Sequence, residues 1–131
     1  MKSLTYIEDP EDLYQNAPFG YLTMLLTGEI INVNNTLLKW LDFERDEIVR
    51  KKFFPDLLGT GGKIYFESHL MPLLQMQGGV SEVNLDLKGK GIIKIPALIN
   101  IKRVSGNSAD KPVYWISVLD ITQRKQFEKE L

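Results

Sequence analysis

Apolar positions recur at two spacings along this chain, and the spacing separates strands from helices. In `VNLDL`, Val83, Leu85 and Leu87 alternate with polar Asn84 and Asp86, the period of a strand with one wet face. `IIKIPALINIKRV` continues the pattern: Ile93, Ile95, Ala97, Ile99 and Ile101 point one way, Lys94, Asn100 and Lys102 the other. Pro96 interrupts this strand and predicts a position without a partner, or a bulge. In `VYWISVLDI` both faces are apolar, with Val113, Trp115, Leu119 and Ile121 on one and Tyr114, Ile116 and Val118 on the other. That predicts a central strand covered on both sides.

Earlier segments fit the same scheme. `FGYLTMLL` and `EIINVN` predict two strands joined by a Thr27-Gly28 hairpin turn. `EDPEDLYQNAP` predicts a short helix capped by Asp9, with Pro10 at its first position and Pro18 limiting its extension. `NNTLLKWLDF` predicts a helix capped by Asn34 or Asn35, with Leu37, Leu38 and Leu41 on one face. `ERDEIVRKKF` gives another helical turn, acidic early and basic late. `LLGTGG` predicts a flexible break before `KIYFESHLMPLLQMQ`, a helix with Phe66, Leu70, Leu73 and Leu74 as its apolar stripe. Pro72 must kink or restart that helix, and Gly78 and Gly79 end it. `SGNSADKP` predicts a loop. Strands at both ends with helices between them predict an α+β fold: one antiparallel sheet with the helices on one face. The doubly apolar last strand then needs a second cover, either the first helix with Leu13 and Tyr14 or a second copy of the chain.

Composition narrows the function classes. The chain has 131 residues, 44% hydrophobic and 25% charged, ordinary for one globular domain. Its net charge of −1 supplies no basic field for nucleic acid or an anionic membrane. No run spans a bilayer, and `MKSLTYIEDPED` lacks the apolar core of a secretion signal, so a cytoplasmic location without membrane contact is expected. There is no cysteine, hence no thiolate chemistry, and His69 is the single histidine, so no multi-histidine metal site can form. A Ser68–His69 relay fails because neighbouring helical residues point about 100° apart. `GTGGK` lacks the full spacing of a phosphate-binding loop. No catalytic residue is expected.

Three stretches in order resemble the PAS sensory-domain family: `NAPFGYLTM`, `GEIINVNNTLLKWLDFERDEIVRKKFFPDLL` and `VYWISVLDITQRKQFEKEL`. The last is similar to the family's exit, Asp-Ile-Thr followed by basic residues and an amphipathic helix. Asp42 stands where many members have Gly, which suggests a different local turn. The resemblance covers about residues 11–131. It implies a five-stranded antiparallel sheet cupped by small helices, and divides the chain into an N-terminal dimerisation helix (1–17), the sensor domain (18–122) and the start of a signalling helix (123–131). It implies a sensory module of a signal-transduction protein that binds a small ligand and acts on an effector such as a histidine kinase, a diguanylate cyclase or a phosphatase. No effector sequence follows, so a fragment or a stand-alone adaptor is expected.

The resemblance places a ligand pocket between the helices and the concave sheet face. Trp40, Phe54, Met71, Ile99 and Trp115 are the candidate lining, with Asn34 or Ser117 as polar contacts. The alternative is a ligand-free interaction module whose core these residues fill; an enzyme of similar strand order is a third reading. Haem sensors of the family take an iron ligand from the region of His69, but the surrounding pattern does not match. The light-sensing branch needs a cysteine, and nothing signals noncovalent flavin. No cofactor is expected. Asp120 and Thr122 suit the signal exit by capping the outgoing helix, where Phe127 and Leu131 share a face that could begin a coiled coil. Tyr114, Ile116 and Val118, extended by Tyr21 or Leu22 and flanked by Leu13 and Tyr14, are expected to form the outer surface of a homodimer.

Overall fold

The structure is a computed structural model, and it describes residues 5–105 and 111–130. Gly106–Asp110, most of the expected loop, and Leu131 lie outside the described residues. The elements run α1 (Pro10–Gln15), β1 (Gly20–Leu25), β2 (Ile30–Val33), α2 (Asn35–Leu41), α3 (Arg45–Ile48), a 3₁₀ turn (Phe54–Leu57), α4 (Thr60–Tyr65), a π-helical turn (Phe66–Leu70), α5 (Met71–Gln77), β3 (Gly79–Lys88), β4 (Lys94–Val104), β5 (Val113–Asp120) and α6 (Thr122–Glu130). The strands form one antiparallel sheet of order β2-β1-β5-β4-β3, with β5 at its centre.

Local chemistry accounts for most boundaries. Asp9 caps α1 by accepting from the Glu11 N–H, and Pro10 opens the helix. Asn34 caps α2 by accepting from the Leu37 N–H, and Leu37, Leu38 and Leu41 bury their face on the sheet. Gly28, at φ 95, takes the left-handed conformation that the β1–β2 turn needs. Asp42 ends α2 at φ 61, ψ 38, the same left-handed conformation a glycine would hold. A short polar side chain tolerates that region.

Three expectations need correction. `LLGTGG` is not a break: α4 starts at Thr60 and takes in Gly61 and Gly62 despite their weak helix preference. β3 starts at Gly79, four residues before Val83, and is interrupted by a bulge between Val80 and Val83 where Glu82 sits at φ 55. Leu73 is exposed, while Phe66, Leu70 and Leu74 are buried. Inserting the π turn before Pro72 lets the Met71 N–H reach back to Phe66 and restarts the helix at α5, as Pro72 required.

Pro96 also has a structural explanation. Its carbonyl accepts from the Ile121 N–H, just past the end of β5. The bond an N–H at 96 would return is the one proline cannot make, so it sits where the ladder stops. At the β3–β4 hairpin, the Lys90 N–H donates to the Leu41 carbonyl, and a Cβ at Gly89 would lie 2.6 Å from that oxygen. Only glycine allows this approach of hairpin to helix.

Candidate functional site

The core lies between the helices and one sheet face. Ile99 pairs with Val118 and Ile101 with Ile116, so these four side chains share the inner face and all are buried. Tyr114 lies on the same face, 1% exposed. Phe54 and Phe66 meet edge-to-face above it, with ring centroids 5.3 Å apart.

The seven pocket candidates therefore separate. Phe54 and Ile99 have no exposed surface, and Trp40 and Met71 pack partly buried against the same core. Asn34 is fully buried, but its amide is used up: Oδ1 accepts from the Tyr21 and Leu37 N–H groups at 2.9 and 3.1 Å, and Nδ2 donates to the Tyr14 and Phe19 carbonyls at 2.8 and 2.9 Å. It joins α1, β1 and α2 and has nothing left for a ligand. Trp115 and Ser117 stand on the opposite, outer face, across from Lys102 and Asn100. Ile99 and Trp115 therefore cannot line one pocket, and the alternation of β5, which reads the same in both orientations, does not reveal this.

The expected dimer surface is corrected for the same reason. Tyr114, Ile116 and Val118 are core residues, not outer ones. Leu13 and Tyr14 do lie outside, with Leu13 44% exposed. Tyr21, not Leu22, is the β1 residue that extends the outer face, because it pairs with Ser117 while Leu22 pairs with the buried Ile116.

The outer face carries a groove of about 810 Å³. Two cross-strand rows make its floor. One runs Asn32–Thr23–Trp115–Lys102, the other Tyr21–Ser117–Asn100. Tyr14 stacks on Tyr21 at 6.0 Å and forms one wall. Trp115 is 55% exposed. The Tyr14 hydroxyl is buried without a hydrogen-bond partner among the described residues. Burial pushes this phenol up to about 12; the Arg45 guanidinium opposes the shift and Glu11 adds to it. α1 itself is anchored at its C-terminal end. Gln15 Oε1 accepts from Arg45 and from the Asn35 N–H, Arg45 also donates to the Val33 carbonyl, and Thr36 donates to the Ala17 carbonyl. Asn100 and Lys102 lie on the polar row that the alternation of β4 predicts, although nothing in the sequence marks that row or Thr23 as part of a site.

Asp120 and Thr122 make the junction expected of them. Asp120 Oδ1 accepts from the Thr122 N–H and hydroxyl, at 2.9 and 2.6 Å, at the first turn of α6. Phe127 is 66% exposed; its expected neighbour Leu131 lies outside the described residues. His69 is exposed, stacked on Tyr65 at 5.1 Å, on the side of the helix away from Phe66 and Leu70. Ser68 Oγ donates to the Ile64 carbonyl at 2.7 Å and also lies 2.7 Å from His69 Nδ1. Among the described residues no group of three or more His, Asp or Glu could hold a metal ion, and no helix is long and apolar enough to cross a membrane.

This architecture recurs in solved structures. A PAS domain from Colwellia psychrerythraea superposes with a TM-score of 0.74 at 13% identity, covering 86% of this chain and 93% of that one. A PAS domain from a two-component sensor histidine kinase gives 0.70 at 9% identity, covering 84% and 91%. The chain has the PAS fold. In sequence it is similar to the phosphoserine phosphatase RsbP of Bacillus subtilis, 27% identical over 116 residues. That match takes in 88% of this chain but only 28% of the length of RsbP. No protein-family model matches the chain.

Proposed function

We propose that this chain is a sensory or regulatory module of a signalling protein, and that it works through its outer sheet face and not through an interior ligand pocket. One observation carries the reading: the inner candidates Phe54 and Ile99 are sealed in the core, while Trp115 stands 55% exposed in the outer groove. Large side chains that fill a cavity leave contact as the means of regulation. The partner is a second copy. Leu13, Phe19, Tyr21 and Trp115 give a partly exposed apolar surface on one side of the molecule, and a two-fold arrangement buries it from both partners. The same arrangement brings the two α6 helices out together toward an effector. The likeness to RsbP favours a phosphatase among the effectors expected from the sequence.

Sedimentation equilibrium of wild type and Trp115→Asp tests this. The wild type self-associates and the variant stays monomeric with an unchanged far-UV spectrum. Mass spectrometry of the extracted protein yields no stoichiometric metabolite from the interior. A monomeric wild type, or a tightly held interior ligand, refutes the reading.

A further inference from the structure

The outer groove has a chemistry that plain self-association does not need. Trp115, Tyr21 and Tyr14 give the groove its aromatic surface, and Thr23, Ser117 and Asn100 set hydroxyl and amide groups among them in its floor. Lys102 is the one charged side chain in the lining, and no carboxylate lines the groove among the described residues. Lys102 stands directly across from Trp115 in the β4–β5 register, on the same sheet face. The volume, about 810 Å³, lies within the range of small-molecule sites. Gly79 lies across from Lys102 on β3, and a Cβ there would meet the Ile101 carbonyl at 2.9 Å, so the groove is free of a side chain at that end. The bulge at Ser81–Glu82 bends the edge strand there, and Asn100 Oδ1 holds it by accepting from the Glu82 N–H at 2.9 Å.

We propose that this groove binds a planar aromatic carboxylate, with the ring stacked among Trp115, Tyr21 and Tyr14 and the carboxylate on Lys102, and that the bound acid competes with the second copy for the face. Aromatic faces accept a flat ring, and a lone cation in a lining without acids selects an anion. The competition rests on the outer face being the surface of self-association; the site itself does not.

The probe is indole-3-acetate, with indole-3-acetamide as its neutral counterpart, followed by amide chemical shifts of the whole chain. The acid gives a saturable shift at Thr23, Lys102, Trp115 and Ser117. It binds about fivefold tighter than the amide, the scale of one exposed ion pair. Lys102→Met brings the acid to the level of the amide, and Trp115→Ala weakens both while the remaining spectrum keeps its dispersion. Sedimentation in the same titration moves from dimer to monomer. Equal binding of acid and amide, no saturable shift, or shifts confined to inner residues such as Phe54 and Ile99 overturns the site. A dimer that persists with the probe bound overturns the competition. A wild type that binds the acid yet never dimerises refutes the self-association reading and leaves the site standing.

Discussion

Tyr114 and Trp115 are adjacent aromatic residues on β5, and their surroundings are opposite. Tyr114 is 1% exposed among helices and inner-face aliphatics; Trp115 is 55% exposed on a face where α1 buries none of its own residues. The inner face is closed by several elements at once, α2, the 3₁₀ turn and the helical run from α4 to α5. The outer face has only the six-residue α1 at one side and α6 beside Asn84 and Leu98, and neither helix has a buried residue. A single sheet thus has a face that specifies the fold and a face left available for contact. Substitutions on the two faces should differ in kind, not only in size.

The sharpest test of that difference is Ile116→Asp. A carboxylate at a position 1% exposed has no partner to offset its burial, and a cost above about 4 kcal/mol is expected, enough to abolish cooperative urea unfolding. A variant that stays folded and only loses self-association would invert the assignment of the faces. Phe54→Ala removes one ring of the Phe54–Phe66 pair and should lower stability by about 3–5 kcal/mol in the same measurement. Asn34→Ala orphans two N–H and two carbonyl groups, and about 3 kcal/mol is expected, with faster hydrogen exchange at Tyr21 and Leu37. On the outer face, Trp115→Asp should shift stability by no more than about 0.5 kcal/mol while abolishing self-association.

The smallest effect is expected at Glu47 and Lys90, an exposed pair that joins α3 to the β3–β4 hairpin at 2.8 Å. The Lys90 hydrogen bond, then the Glu44 backbone N–H, hold the Glu47 carboxyl below its ordinary value, and Glu47 raises Lys90. Glu47 therefore contributes above its unfolded value, and that contribution fades as pH falls through the lower folded one. Lys90 contributes below its unfolded value and loses this as pH rises through the higher folded one. Glu47→Gln should flatten the acid limb of a melting-temperature-against-pH curve and leave the neutral plateau in place. An unchanged acid limb would show that the pair does not hold the hairpin.

Much of the fold was legible because it depends on near neighbours. The caps at Asp9 and Asn34, the Thr27-Gly28 turn, the restart at Pro72 and the stop at Gly78 are each written within a few residues. The central place of β5 was legible from its doubly apolar pattern, and the Asp120–Thr122 cap from two short polar side chains. Start points set by packing were not legible: α4 begins on glycines that favour no helix, and β3 begins before a bulge that hides its alternation.

The site divides along the same line. By itself the sequence determined that β5 has two apolar faces, since a strand alternates whatever surrounds it. Which face turns inward is a property of register. Only when β4 lies beside β5, with Ile101 against Ile116 and Ile99 against Val118, does the apolar row of β4 place Tyr114, Ile116 and Val118 inside and Trp115 outside. A shift of one residue in that pairing would exchange the faces, and nothing within β5 forbids it. The tertiary structure decided it, because the helices can close over only one side of the sheet.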